Sequence, residues 1–176
     1  MPLLKNGLVI ADTWLQADAD GDLPQQGNVI VPLERLLKEW DRLSQRSGSL
    51  GVRLGNTDRA ELLEPFLHRL SVVVLPFPAF NDGRAYSIAR KLREMGFSGE
   101  LRATGNVLPD QLQFMLQVGF NAFEIGDRFS IDTWNRASRQ MSLAYQRGLF
   151  RRDPEAEIWT ERHSDAEPWL EQPHAG

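Results

Sequence analysis

A chain of 176 residues, 41% apolar and 25% charged, has material for one domain with a buried core and too little for two, and its composition argues against a disordered or fibrous chain. A formal charge of -4 gives no general attraction for nucleic acid, which depends on clustered Lys and Arg. With no cysteine, the chain cannot form disulfides, thiolate nucleophiles, redox dithiols or thiolate-held iron–sulfur clusters, and its three histidines, His68, His163 and His174, are too scattered for a zinc site of the usual spacing.

The first residues, MPLLKNGLVIADTW, carry one lysine and an apolar stretch too short and too broken to serve as a signal peptide. The longest apolar run, 71–80, holds two prolines and falls far short of the roughly 18 residues that span a bilayer. No membrane span is expected, and the cytoplasm is the expected location. Residues 7–16, GLVIADTWLQ, predict a strand or hairpin arm, and DADGDLPQQG after them has the chemistry of a loop. From residue 28 the pattern changes. NVIVP reads as a β-branched strand, and Leu33, Leu36, Leu37, Trp40 and Leu43 follow at helical spacing to an end near Ser47 and Gly48.

That strand–helix unit recurs. LGVRLG (50–55) precedes a helix over about 58–69, capped by Thr57 or Asp58, and SVVVLPF (71–77) precedes a helix over 83–95, capped by Asp82. ELRATG (100–105) leads to a helix opened by LPDQ, where Pro109 suits the first turn, and AFEIGD (122–127) leads to a last helix over 130–147. Such spacing implies parallel strands joined by right-handed crossovers. Five βα units predict an α/β domain with a parallel sheet, either a curved partial (β/α) barrel or an open doubly wound sheet. The curved form is favoured because Arg53, Arg102 and Glu124 lie inside strands, where a doubly wound sheet is continuously apolar and a barrel-like sheet has a concave face to line. The domain is expected to occupy 1–148, with 1–27 as a β arm and loop. The proline-rich stretch 149–176 is expected to form an extended or partly disordered tail, with Trp159 and Trp169 available to pin it.

In a parallel α/β sheet, ligands collect at the carboxyl ends of the strands. Asp58, Asp82 and Asp127 at that edge have the ordinary roles of caps and turns. Arg84 is less ordinary, because a cation in the first turn of a helix opposes the macrodipole. Either Asp82 offsets it internally, or an anion binds between Arg84 and the free N–H groups near Gly83. Arg102 on the next strand is the expected second arm of such a clamp. Glu124 and Asp110 are the candidate acid/base groups, and Tyr86, Ser87 and Gln111 could face the same rim. The competing expectation is an internal Arg–Glu–Asp network that holds the sheet together. No glycine pattern of the dinucleotide or triphosphate type is present, and no cofactor is predicted. Phe77, Phe80, Phe114, Phe120 and Phe123 read as core, as do Trp134, Met141 and Tyr145.

FNDGRAYSIARKLRE followed by GELRATGNVLPDQLQFMLQVGFNAFEI resembles the bacterial domain-of-unknown-function family 934. The matching positions are Asp82, Gly83, Arg84, Ala85, Tyr86, Ser87, Arg102, Asp110, Gln111 and Glu124, whereas Asn81 and Pro109 stand where the family is more variable. The resemblance is strong over about 70–126. It implies an involvement in sulfite reduction, because members are labelled oxidoreductases of that pathway from gene neighbourhoods shared with assimilatory sulfite reductase and phosphoadenylyl-sulfate reductase. A chain without thiolates or a dinucleotide fingerprint is not expected to carry the electrons itself. Two functions follow as expectations: an accessory protein that binds a small oxyanion or the sulfite reductase itself, or an enzyme acting on a small anionic metabolite at the carboxyl edge.

Overall fold

The computed structural model describes residues 2–5 and 7–139. Among these residues eight strands form one sheet: β1 (Leu3–Lys5), β2 (Leu8–Ile10), β3 (Leu15–Gln16), β4 (Val29–Pro32), β5 (Leu50–Arg53), β6 (Leu70–Phe77), β7 (Glu100–Gly105) and β8 (Ala122–Glu124). Their order across the sheet is β2-β1-β8-β7-β6-β5-β4-β3. From β3 to β8 every neighbouring pair is parallel, and β1 and β2 add an antiparallel edge beside β8. The β1–β2 turn contains Gly7 at φ +75°, a conformation costly for a residue with a Cβ.

The five expected βα units are all present. After β4 come α1 (Leu33–Lys38) and α2 (Trp40–Ser44); after β5 a 3₁₀ helix (Ala60–Arg69); after β6 α3 (Arg84–Glu94); after β7 a 3₁₀ turn (Pro109–Gln111) and α4 (Leu112–Gln117); after β8 α5 (Ile131–Arg139). Two helices differ from the periodicity. The expected single helix after β4 breaks at Glu39, which leaves helical torsions (φ -113°, ψ 23°) and accepts a hydrogen bond from Arg35 Nε at 3.1 Å. The helix after β5 is 3₁₀ with Pro65 inside it, a residue with no N–H to give the α ladder. Asp58 closes a turn onto the Gly55 N–H (2.6 Å) instead of capping that helix.

The strand order never reverses, so right-handed crossovers carry every helix to the same side, and the sheet curls into a half-barrel. A doubly wound sheet would need a reversal point. The chain supplies a second measure of the curl. β2 and β3 lie at opposite edges, yet only residues 11–14 join them. Five residue steps reach about 18 Å at most, whereas seven strand spacings laid flat would cover roughly 34 Å. The edges must therefore approach each other, and residues 11–14 form a strap across the concave side.

Alternation along each strand divides the core. Val73, Leu75 and Phe77 of β6, with Leu101 and Ala103 of β7 and Phe123 of β8, join the large cluster that includes Leu36, Leu63, Leu92, Met115 and Trp134 from the helices. The opposite face holds a small apolar group, Ile30, Val72 and Val74, packed by Trp14 from the strap. Of the five phenylalanines expected in the core, Phe77, Phe120 and Phe123 are buried. Phe80 and Phe114 are exposed: Phe80 lies in the loop after β6, and the Phe114 ring rests on the outside of Tyr86 at 4.9 Å. Trp134 is buried as expected. Met141, Tyr145 and the tail 149–176 lie outside the described residues. Among those described, no helix is long and apolar enough to cross a membrane.

Candidate functional site

Strand register aligns one row of side chains across the concave face: Pro32, Arg53, Val74, Arg102, Ala122 and Lys5 are successive partners from β4 to β1. Glu100 lies one step toward the amino end, beside Val72. Thr104 and Glu124 lie one step toward the carboxyl end. The even spacing of Glu100, Arg102 and Thr104 along β7 puts all three on this face, as a strand's twofold period requires.

Arg102 is fully buried, which is very unfavourable for a guanidinium without partners. Three carboxylates surround it. Nη1 donates to Asp12 Oδ2 at 2.7 Å, and Nε donates to Glu100 Oε1 at 2.9 Å. Nη2 also lies 2.9 Å from that oxygen without hydrogen-bonding geometry. Glu124 Oε1 is at 3.6 Å, outside hydrogen-bonding range. The other oxygen of Glu100 accepts from Lys5 Nζ at 2.7 Å. Burial alone would lower the affinity of Arg102 for its proton, but the hydrogen bonds and charges of Asp12 and Glu100 raise it on balance. Asp12 also accepts the Trp14 N–H on its second oxygen, so one carboxylate both folds the strap and fastens it to β7.

Between strap and sheet a cavity of about 280 Å³ remains, lined by Asp12, Gln16, Arg53, Val74, Thr104 and Glu124. Two groups in its wall lack full compensation. Arg53 is half-buried and has no hydrogen-bond or ion-pair partner among the described residues. Glu124 holds its proton more tightly than an ordinary glutamate. Burial is the main cause, the charge of Arg102 works against it, and that of Asp12 adds to it. A carboxyl group with a raised pKa facing an unpaired cation across a concave space is a common mark of a functional site. The arrangement can hold an anion at Arg53 and can give or take a proton at Glu124.

The loop after β6 is built differently. Arg84 is exposed and turns back on Asp82, donating from Nε to Oδ1 (2.9 Å) and from Nη2 to Oδ2 (2.7 Å). Asp82 also accepts the Arg84 backbone N–H at 3.2 Å and the Asn56 side chain at 3.0 Å. These bonds hold its carboxyl well below the usual range, with the Arg84 side-chain bonds as the largest cause. Asp82 is thus the internal offset for the cation at the start of α3. Gly83 and Ser87 are exposed beside it.

Tyr86 packs edge-on against Phe77 at 5.2 Å, under Phe114, within the aromatic group between sheet and helices. Burial first, and the nearby Asp110 second, raise the pKa of its phenol. Asp110 is exposed, and Gln111 donates to the Phe80 carbonyl at 2.7 Å. Of the residues expected at one rim, the fold brings Arg102 and Glu124 together on the concave face. Asp82, Gly83, Arg84 and Ser87 gather around the loop before α3, and Tyr86, Asp110 and Gln111 lie between α3 and α4. The two arginines share no partner.

Asp12, Gln16 and Glu100 were not singled out by the sequence for this face. Thr104 and Glu100 were available from the period of ELRATG once Arg102 pointed inward. Asp12 had no local signal, because its partner is 90 residues away.

No curated protein and no solved structure matches the chain. The family described as bacterial protein of unknown function, DUF934, matches residues 51–156, more than half of the sequence. The match takes in Arg53, Arg102 and Glu124 and leaves the strap outside it. This chain belongs to the DUF934 family.

Proposed function

We propose that this protein is a cytoplasmic accessory component of assimilatory sulfite reduction that binds a small oxyanion in the concave cavity. The observation that carries the binding part is Arg53, a half-buried cation without a partner among the described residues, in the wall of a cavity sized for a small molecule. A buried or half-buried guanidinium ordinarily finds a carboxylate or a carbonyl, as Arg102 and Arg93 do here. Arg53 offers up to five donors to a ligand instead. The link to sulfite reduction rests on the family resemblance and on no side chain. Docking onto the sulfite reductase itself is the alternative form of the same role.

The test is calorimetric titration of the purified protein with sulfite, sulfate and phosphate. Binding of one of them, lost in Arg53→Gln and retained in Arg84→Ala, is the expected outcome. Binding lost through Arg84 and kept without Arg53 would move the site to the loop before α3. A strain lacking the protein should grow poorly on sulfate and normally on cysteine, and Arg53→Gln should not restore growth. Equal growth on both sources would remove the sulfur-assimilation role. A second reading, catalysis on a small anionic metabolite, draws on Glu124, whose raised pKa in the same wall suits an acid/base group.

A further inference from the structure

We infer that the ligand of the concave cavity is a small zwitterion, with an anionic group for Arg53 and an ammonium group for Glu124 and Asp12. This rests on the reading above that Arg53 receives an anion, and it adds the second charge.

Among the described residues the fold leaves charges unmatched on both sides of the cavity. At one side of the cavity stands Arg53, on β5, without a partner among the described residues. At the other stand Glu124, on β8, and Asp12, on the strap. Glu100 is matched by Lys5 at 2.7 Å and shares Arg102. That leaves Asp12 and Glu124 competing for one guanidinium, which Asp12 holds at 2.7 Å while Glu124 stays at 3.6 Å. Among the described side chains, the β8 side therefore carries an excess carboxylate and the β5 side an excess guanidinium.

Arg53 and Glu124 do not pair with each other, because β6 and β7 separate their strands and Val74 lies between them on the floor. Three strand spacings, roughly 14 Å along the sheet, are shortened across a curved face by two side chains that reach inward. The remaining gap suits a molecule with opposite charges a few bonds apart, such as an amino acid or an aminosulfonate. A plain oxyanion satisfies Arg53 and leaves the carboxylates opposite unmatched, and a plain amine does the reverse. Thr104 and Gln16 in the same wall can hydrogen-bond to either end.

Calorimetry at neutral pH, with pairs of probes that differ in one charge, tests this on the unaltered full chain. Taurine is compared with ethanesulfonate, and L-cysteine with 3-mercaptopropionate. The zwitterion of at least one pair should bind ten-fold tighter or more than its singly charged partner. Glu124→Gln should bring the zwitterion to the level of the anion without weakening the anion, and Arg53→Gln should weaken both. Equal affinity within both pairs, or a zwitterion preference unchanged in Glu124→Gln, overturns the inference. If sulfite or the singly charged anions bind through Arg53 while no zwitterion is preferred, the oxyanion reading stands without it. If neither anions nor zwitterions bind through Arg53, both fall.

Discussion

Two arginines, eighteen positions apart, divide this molecule into two kinds of electrostatic region. Arg84 meets Asp82, two residues away, at the solvent-exposed start of α3, and the pair is closed by local geometry. Arg102, itself fully buried, meets Asp12 across 90 residues on the concave face, where strap, β7 and β8 must all be in place for the charges to meet. The exposed pair exists wherever that helix start exists, whereas the buried cluster exists only in the complete fold. An exposed ion pair adds little stability because water solvates both partners when it opens. Breaking a buried one leaves charges that water solvates poorly.

The contrast can be broken most directly at Arg102. Arg102→Met leaves Asp12, Glu100 and Glu124 facing one another with Lys5 as the remaining cation, and should lower the unfolding free energy by about 3–5 kcal/mol, measured by urea denaturation. A loss below about 1 kcal/mol would mean that the cluster is solvated like a surface pair. Asp12→Asn should cost about 1.5–3 kcal/mol, the range for a hydrogen bond to a charged group. It should also raise hydrogen exchange over residues 11–16, since the strap loses its attachment to β7. Unchanged exchange there would mean that Trp14 alone holds the strap.

Glu124 differs from both arginines because its effect has the opposite sign. A carboxyl whose folded pKa is raised contributes stability at pH below its unfolded value, about 4.3, and that contribution disappears as pH climbs through the raised folded value. Glu124→Gln should therefore remove a decline in melting temperature above about pH 4 and leave the variant as stable as the wild type, or more so, at neutral pH. A variant clearly less stable at neutral pH would show that Glu124 is needed to hold Arg102. The smallest effect belongs to Arg84→Ala, which should leave the urea midpoint unchanged within error.

Much of the fold was legible because it rests on short-range periodicity. The βα units, the strand carrying Arg102 and the inward direction of Arg53 and Glu124 all follow from alternation within four to eight residues. The break at Glu39 and the 3₁₀ form of Ala60–Arg69 did not follow. Apolar spacing at Leu33, Leu36 and Leu43 is satisfied by two short helices as well as by one. Phe114 has the sequence pattern of a core residue, because an aromatic residue at helical spacing is ordinarily buried, yet it covers Tyr86 from the solvent side. At the site, the local pairing of Asp82 with Arg84 could be anticipated from its spacing, and the meeting of Arg102 with Glu124 from parallel register. The role of Asp12 could not.

Which residues alternate, where helices begin and that charged side chains line one face of the sheet can be read from local sequence, because each of these depends on neighbours a few positions away. Tertiary structure alone decided which charges are neutralised. The curl of the sheet and the strap joining its two edges bring Asp12 to Arg102, leave Arg53 without a partner among the described residues and border the space between Arg53 and Glu124. Coulomb attraction acts over a few ångströms of space whatever the separation along the chain.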